Sequence, residues 1–274
     1  MIYQAIIVIL TYNAYDDSID VSNDRSSHGT TVAGFIAALD NSVGTIGVAP
    51  QAELILIKMS DPNGYVWDEV IIKAFDKAIE ENVDVINCSW GTYDVPAIIE
   101  SKIQEAYDAG IVIVFAAGND AWNLDAVGRD DESELNSVIG VGASDEYNDK
   151  SVYTNYGSNM DLLAPGGDSW DIIGLVGLDR MGSDGYSNQQ GLLNSNYNFV
   201  DGSSFSAPQV AGVAALMLSV NPTLTPTQVR DIMIQSTQKI GLNAGADYNA
   251  SGFDTYRAYG KIDASIAVQT AVSY

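Results

Sequence analysis

The chain has 274 residues, 46% of them hydrophobic, which is enough for one large core or two modest domains. Its 36 acidic and 12 basic residues give a net charge of -24, which argues against nucleic-acid and membrane-surface partners because such a surface repels phosphates and anionic lipids. No apolar run approaches the roughly 18 residues of a membrane span, and a single cysteine, Cys88, excludes an internal disulfide.

Short apolar runs alternate with segments of helical periodicity. The runs predict strands that are apolar on both faces, at residues 5–10, 54–57, 83–86, 111–115, 138–141 and 162–163. Helical spacing of apolar residues between them predicts helices at residues 69–79 and 98–109. This alternation predicts an α/β fold of three layers, α/β/α, in which a mostly parallel central sheet lies between helices.

The C-terminal third is more helical. An apolar segment at residues 207–218 predicts a buried helix, Thr225 followed by Pro226 predicts the start of another, and residues 263–272 predict a last surface helix. Residues 166–198, rich in glycine, serine, asparagine and aspartate, predict a long irregular loop. No linker composition divides the chain, so one domain over residues 1–274 is expected.

Three segments carry residues suited to acyl transfer. His28, the one histidine of the chain, precedes a helical run at residues 32–39, which places its imidazole at a helix N-terminus. Ser204 lies at a loop-to-helix junction, where unpaired backbone N–H groups favour a developing oxyanion. Asn119 follows a strand and a turn of small residues. Each residue alone is more typical of a cap, a turn or a surface position than of a catalytic site.

The order and spacing of these motifs resemble those of the subtilisin-like serine peptidases, the subtilase family. The resemblance extends from about residue 12 to residue 271, and six motifs in the family's order make it specific. The matching segments are residues 28–30, 37–50, 84–91, 116–119, 163–166 and 202–212.

The resemblance implies a role for each matched residue. Ser204 would be the nucleophile and His28 its general base, while the Asn119 side chain and the Ser204 N–H would be oxyanion donors. The substrate is expected to be an extended polypeptide that pairs as an added strand with the main chain of three residues, Ser89, Trp90 and Gly91.

The resemblance also implies a pocket for the side chain before the scissile bond. Ala116, Ala117 and Gly118 would line this pocket. Asp120 is expected at its rim, where it would favour a basic substrate residue; a solvated loop aspartate is the equal alternative.

The acid of the family's triad is not identifiable in this sequence. In one register, residues 5–10 fill the central strand position and Thr11 or a neighbour replaces the acid. In the other, which we favour, residues 12–17 match the segment after that strand, and the domain lacks its N-terminal, aspartate-bearing strand. The slot would then need another segment, either residues 5–10 or an upstream piece. Asp16, Asp17, Asp20 and Asp24 are candidates for a substitute acid.

The resemblance further implies a calcium loop. By position, the ligands of Ca²⁺ would be the carbonyl oxygens of Leu39, Val43 and Thr45 and the side chain of Asn41. The family draws further ligands from upstream. A simple surface turn is the alternative for this loop.

The leading hypothesis is therefore a secreted or extracellular serine endopeptidase, without nucleic-acid or membrane partners. Residues 1–4 lack the basic start of a secretory signal, so any signal is absent or removed, and an upstream pro-segment or N-terminal segment is expected. The alternative is a catalytically impaired subtilisin-like domain with a binding or structural role. A third hypothesis is an esterase or ligase that uses the same serine.

Overall fold

The computed structural model describes residues 6–22, 27–168, 174–181, 185–186 and 196–274, and in it strands and helices alternate as predicted. The strands of the first two thirds are β1 (Ile7–Asn13), β2 (Glu53–Lys58), β3 (Val85–Cys88), β4 (Val112–Ala116), β5 (Ile139–Ser144) and β6 (Leu162–Pro165). The helices among them are α1 (His28–Ala37), α2 (Asp68–Glu80) and α3 (Ala97–Asp108). Each predicted strand and helix is found, with ends that shift by a few residues.

The main sheet has six strands in the order β3-β4-β5-β6-β10-β9, where β9 is Thr237–Gln238 and β10 is Lys261–Ile262. Strands β3 to β6 are parallel, and β10 is parallel to β6. Strand β4 is buried on both faces because alternate side chains point into two cores. This arrangement confirms the predicted α/β class with a mostly parallel sheet.

Helix α4 (Ser203–Val220) packs across β3, β4, β5 and β6 and fills the larger core. Its length and hydropathy alone would let it cross a membrane, but 61% of its apolar window is buried inside the protein, as in the core helix of a globular domain. The predicted helix over residues 207–218 is therefore confirmed and begins four residues earlier, at Ser203.

Two further helices complete the C-terminal part, α5 (Pro226–Gln235) and α6 (Ala264–Ser273). Thr225 caps α5 in a capping box, because its hydroxyl accepts the Gln228 N–H while the Gln228 side chain accepts the Thr225 N–H. Asp263 caps α6 through the N–H of Ile266. Both predicted helix starts are confirmed.

Strand β1 forms a separate two-stranded parallel sheet with β2. Its first residues are exposed, Ile7 by 37%, Val8 by 42% and Ile9 by 56%, although their apolar run is typical of a central strand. Among the described residues β1 pairs with β2 alone, so it does not join β2 to the main sheet. The register in which residues 5–10 fill the central strand position is therefore wrong.

The prediction of an irregular loop over residues 166–198 is also partly wrong. It contains β7 (Leu175–Leu178), which pairs antiparallel with β8 (Tyr197–Val200). The pair packs against α1, where Thr31 donates a hydrogen bond of 2.7 Å to the Leu178 carbonyl. Residues 169–173, 182–184 and 187–195 of this predicted loop lie outside the described residues, as does Asp24.

Candidate active site

Ser204 lies in the first turn of α4. The helix is preceded by a glycine whose backbone conformation few other residues can adopt. Gly202 has φ 136° and ψ 151°, a region that side chains rarely adopt. Its N–H is held by the Gly166 carbonyl and the Tyr153 hydroxyl. As the second residue of the helix, Ser204 has an N–H with no intrahelical acceptor, so this group can donate to a ligand.

The Ser204 side chain faces the segment after β3. Its hydroxyl donates to the Ser89 carbonyl at 3.3 Å, which is long for a hydroxyl donor, while the Ser89 hydroxyl donates to the Ser204 carbonyl at 2.7 Å. Ser204 is half-buried. The reciprocal pair fixes the main chain of Ser204, and the weak bond leaves its hydroxyl able to turn.

His28 begins α1, as predicted, and its ring packs beside the turn that carries Ser204. The ring centroids of His28 and Phe205 are 5.4 Å apart, and Phe35 lies 5.8 Å from the same phenyl ring. Helices α1 and α4 pack together, which brings both N-termini to one place. The structure therefore brings together the imidazole and the residue that follows Ser204, across 177 positions of sequence.

Asn119 is anchored beside the same turn by Ser203. The Asn119 Oδ1 accepts the Ser203 N–H at 2.8 Å and the Ser203 hydroxyl at 3.0 Å. Because a backbone N–H must donate to an oxygen, these bonds also fix which end of the amide is the nitrogen. Among the described residues Asn119 Nδ2 donates to no acceptor, so the amide presents a free donor. Sequence reasoning missed Ser203, although it lies one residue before Ser204.

The predicted peptide-binding segment follows β3 directly. Trp90 packs edge-on against Phe115 at 5.0 Å between centroids. Gly91 faces a buried carboxylate, since a Cβ at this position would lie 2.5 Å from Asp131 Oδ2. Burial raises the pKa of Asp131 to about 6, and its Oδ2 has no hydrogen-bond partner. Its Oδ1 accepts the N–H and the hydroxyl of Ser133, so a buried acid with one unpartnered oxygen lies behind this segment.

The residues from Ala116 to Asp120, which are predicted to form a substrate pocket, differ in burial and in contacts. Ala116 and Ala117 are buried in the cores, 3% and 0% exposed. Gly118, with φ 92°, lies under the Tyr93 hydroxyl, which a Cβ at Gly118 would meet. That hydroxyl donates to Asp120 Oδ2. Burial and then this bond raise the pKa of Tyr93 to about 12, so it stays protonated.

Asn155 connects the segment around Asp120 to Tyr93 through side-chain hydrogen bonds. Its Oδ1 accepts the N–H groups of Asp120 and Trp122, while its Nδ2 donates to the Ala117 carbonyl and the Tyr93 hydroxyl. Sequence reasoning missed both Asn155 and Tyr93. No motif marked them, because their roles depend on contacts that join residues 27 to 62 positions apart.

The candidate substitute acids Asp16, Asp17 and Asp20 take part in structural contacts, within their own loop and, for Asp17, with α2. Asp17 accepts the Tyr12 hydroxyl at 2.6 Å and pairs with Lys73 at 2.7 Å. Asp16 and Asp20 accept hydrogen bonds from residues two positions ahead. The Thr11 hydroxyl donates to the Ile19 carbonyl. The structure thus gives Thr11 and these aspartates local structural contacts.

The predicted calcium loop offers neutral oxygens. Asn41 Oδ1 accepts the Val43 N–H at 3.1 Å, and Gly44 turns the loop with φ 73°. The carbonyls of Leu39, Val43 and Thr45 accept no backbone hydrogen bond from the described residues. No cluster of three or more acidic, histidine or cysteine side chains suited to a metal occurs in the described part of the chain. Neutral carbonyl and amide oxygens of this kind are ligands that Ca²⁺ takes in proteins.

The family model of the subtilases matches residues 11–260. The chain belongs to the subtilase family. This subtilase is 37% identical to a subtilisin of Bacillus pumilus over 251 residues, which cover 90% of this chain and 78% of that protein. It is also 37% identical to subtilisin NAT of Bacillus subtilis subsp. natto over 223 residues, 80% of this chain and 52% of that protein. The subtilase therefore spans about half the length of subtilisin NAT and of subtilisin E of Bacillus subtilis.

Solved structures agree with this assignment. Fervidolysin from Fervidobacterium pennivorans, a keratinolytic enzyme related to subtilisin, superposes with a TM-score of 0.80 and 26% identity over 96% of the subtilase and 39% of fervidolysin. A protease from Pseudoalteromonas arctica superposes with a TM-score of 0.77 and 25% identity, over 96% of the subtilase and 84% of that protease.

Proposed function

We propose that this subtilase is a serine endopeptidase domain that cleaves extended polypeptide by acyl transfer. The observation that carries the proposal is the start of α4, where Ser203 anchors the Asn119 amide and Phe205, the residue after Ser204, packs beside the His28 ring. Ser204 Oγ would attack the scissile carbonyl carbon while His28 accepts the hydroxyl proton. The imidazolium would then donate that proton to the leaving amine, and water would release the acyl group.

The two free donors of this junction suit the oxyanion of such a step. Asn119 Nδ2 and the Ser204 N–H would stabilise the negative charge that develops on the carbonyl oxygen. The main chain at residues 89–91 would pair with the substrate as an added strand.

Asp120 would confer a preference for a basic residue before the scissile bond. Its Oδ2 accepts the Tyr93 hydroxyl, which leaves Oδ1 for a substrate cation. In matched peptide substrates, Asp120→Asn is expected to lower kcat/KM for lysine more than for leucine, whereas an equal change for both would contradict this role.

Covalent labelling with a fluorophosphonate tests the acyl-transfer proposal. Label is expected on the unchanged subtilase and on the control Ser219→Ala, whose hydroxyl lies at the far end of α4, but not on Ser204→Ala. In a subtilisin, loss of the triad acid alone has been measured to lower kcat about 3 × 10⁴-fold. Labelling, which needs one turnover, is therefore the suitable assay. Equal absence of label from a folded subtilase and from Ser204→Ala would refute the proposal.

A catalytically impaired domain with a binding role is the second candidate. The observation that favours it is the local use of Thr11, Asp16, Asp17 and Asp20, which leaves the acid of the triad unassigned. A folded, unlabelled subtilase that still retained an extended peptide, measured by fluorescence anisotropy, would support this alternative.

Two further features belong to the same proposal. The relatives and the acidic surface support action outside the cell, on exposed polypeptide. The carbonyls of residues 39, 43 and 45 and the Asn41 amide would hold Ca²⁺ together with oxygens from elsewhere, and the cation would fix this loop next to the end of α1.

A further inference from the structure

Tyr93 connects the two segments that are expected to surround the substrate residue before the scissile bond. It follows the peptide-binding segment, residues 89–91, by two positions, and its hydroxyl reaches the opposite segment, residues 116–120. There the hydroxyl lies so close to Gly118 that a Cβ at this position would overlap it, and it donates to Asp120 Oδ2. The tyrosine side chain therefore spans the space between the two segments.

The backbone of Tyr93 is held in an unusual conformation. Its φ is 58°, in the left-handed region that residues with a side chain rarely adopt. The preceding residue is fixed by a buried carboxylate, because Glu132 accepts the Thr92 N–H at 3.0 Å and the Thr92 hydroxyl at 2.7 Å. A strained conformation persists only where the surrounding structure determines it, so the direction of the Tyr93 side chain is specified.

The side chain of Tyr93 is held at its far end as well. Asn155 Nδ2 donates to the Tyr93 hydroxyl at 3.1 Å. The phenol ring packs against Trp122 at 5.0 Å between centroids, and the Arg129 guanidinium lies 3.1 Å from the centroid of the Trp122 ring. A bulky substrate side chain that displaced the phenol ring would break these contacts and take from Asp120 the hydroxyl that it accepts.

We propose that Tyr93 excludes aromatic and other bulky apolar side chains from the pocket before the scissile bond, so that the subtilase cleaves after short or unbranched residues. An aromatic substrate ring needs the volume that the phenol ring occupies, and it offers Asp120 no hydrogen bond in exchange. Alanine needs no such volume. An unbranched lysine chain is narrower, and its ammonium group can pair with the other oxygen of Asp120. The inference rests on the proposed function, because it names the substrate class of that same site.

Peptidyl phosphonates measure this preference, because they label a nucleophilic serine at a rate that depends on the residue next to phosphorus. Two probes differ in that residue alone, alanine in one and phenylalanine in the other. The unchanged subtilase should react at least about tenfold faster with the alanine probe. Tyr93→Ala should raise the rate with the phenylalanine probe at least about tenfold and change the rate with the alanine probe less than about threefold.

Two further variants show which part of the tyrosine acts. Tyr93→Phe keeps the ring and loses the hydroxyl, so its gain with the phenylalanine probe should be smaller than that of Tyr93→Ala. The control is Tyr147→Ala, at a tyrosine 73% exposed in a separate turn, which should leave both rates unchanged. Tyr93→Ala keeps the Cβ and thus the backbone strain, and thermal unfolding checks that each variant folds. A merely structural role of Tyr93 would lower both rates together.

Binding to Ser204→Ala measures the pocket without turnover. Fluorescence anisotropy compares labelled peptides that end in alanine or phenylalanine, with and without the additional Tyr93→Ala change. A gain of at least about tenfold for the phenylalanine peptide alone would support the inference even if no probe labelled Ser204, and in that case the proposed function alone would fail. An unchanged ratio of the two peptides, an equal gain for both, or no measurable binding of either would overturn the inference.

Discussion

At the scale of single residues, the site depends on side chains that hold others in place. Ser203 is the clearest case, because it donates two hydrogen bonds to Asn119 Oδ1 and its hydroxyl accepts the Gly118 N–H. It therefore orients the amide and the turn that precedes it without presenting its own hydroxyl to substrate.

Ser203→Ala is expected to lower kcat about tenfold and to leave KM nearly unchanged. The hydroxyl bonds are worth about 1–2 kcal/mol together, and tenfold in rate corresponds to about 1.4 kcal/mol. Steady-state kinetics on a peptide ester measures both constants, with Ser219→Ala as the matched control on the same helix. A rise in KM at constant kcat would contradict an orienting role for Ser203.

Asp131 predicts a dependence of stability on pH. Burial raises its pKa from 3.8 to about 6, so the native state binds more protons than the unfolded state between these values. Stability conferred by the protonated form is present below pH 3.8 and is lost as the pH rises through 6. Asp131→Asn should therefore increase the free energy of unfolding by about 2–3 kcal/mol at pH 8 and much less near pH 4.

Urea unfolding at the two pH values measures this difference. Asp130→Asn, one residue earlier and exposed, is the control and should change stability little at either pH. A destabilised Asp131→Asn at pH 8 would show that the carboxylate has a partner that compensates its burial.

At the scale of elements, the loop from residue 39 to residue 45 connects α1 to the turn before β2. We expect 5 mM CaCl₂ to raise the thermal midpoint by a few degrees relative to excess chelator, because a ligand that binds the native state stabilises it. Asn41→Ala should reduce that shift, and Asn63→Ala, in a separate surface turn, should not. Identical thermal midpoints with calcium and with chelator would contradict calcium binding by this loop.

The element scale also shows what the sequence could and could not predict. Apolar runs and helical spacing located β2 to β6 and α2 to α6 because each is buried on a consistent face. They misplaced β1, since an apolar run does not reveal which position of the sheet it takes. They missed β7 and β8, whose pairing joins residues 19 to 25 positions apart within a polar segment.

The same limit applies to the site. The motifs marked His28, Asn119 and Ser204, each of which lies at a helix start or after a strand, and the structure places the His28 ring beside Phe205 and the Asn119 amide beside Ser203. Tyr93 and Asn155 lie in no motif, and Ser203 lies in one without an expected role, so their contacts became evident from the three-dimensional arrangement alone.

At the scale of the whole molecule, the net charge of -24 opposes the compact state by self-repulsion. Raising NaCl from about 0.05 M to about 0.5 M should therefore raise the thermal midpoint, since the Debye length falls below about 10 Å. If charge screening is the cause, KCl at equal ionic strength should raise the thermal midpoint by the same amount. A midpoint that does not respond to either salt would show that the acidic groups are already locally neutralised.

The division of the sheet has a consequence for cooperativity. Strands β4 and β5 are enclosed on both faces, so their amide protons should exchange with solvent mainly through global unfolding. The β1–β2 pair has an exposed outer strand, so the hydrogen bonds of its amides can open in a smaller, local fluctuation. This subtilase thus contains two regions of unequal protection, and the β1–β2 pair is the less protected one.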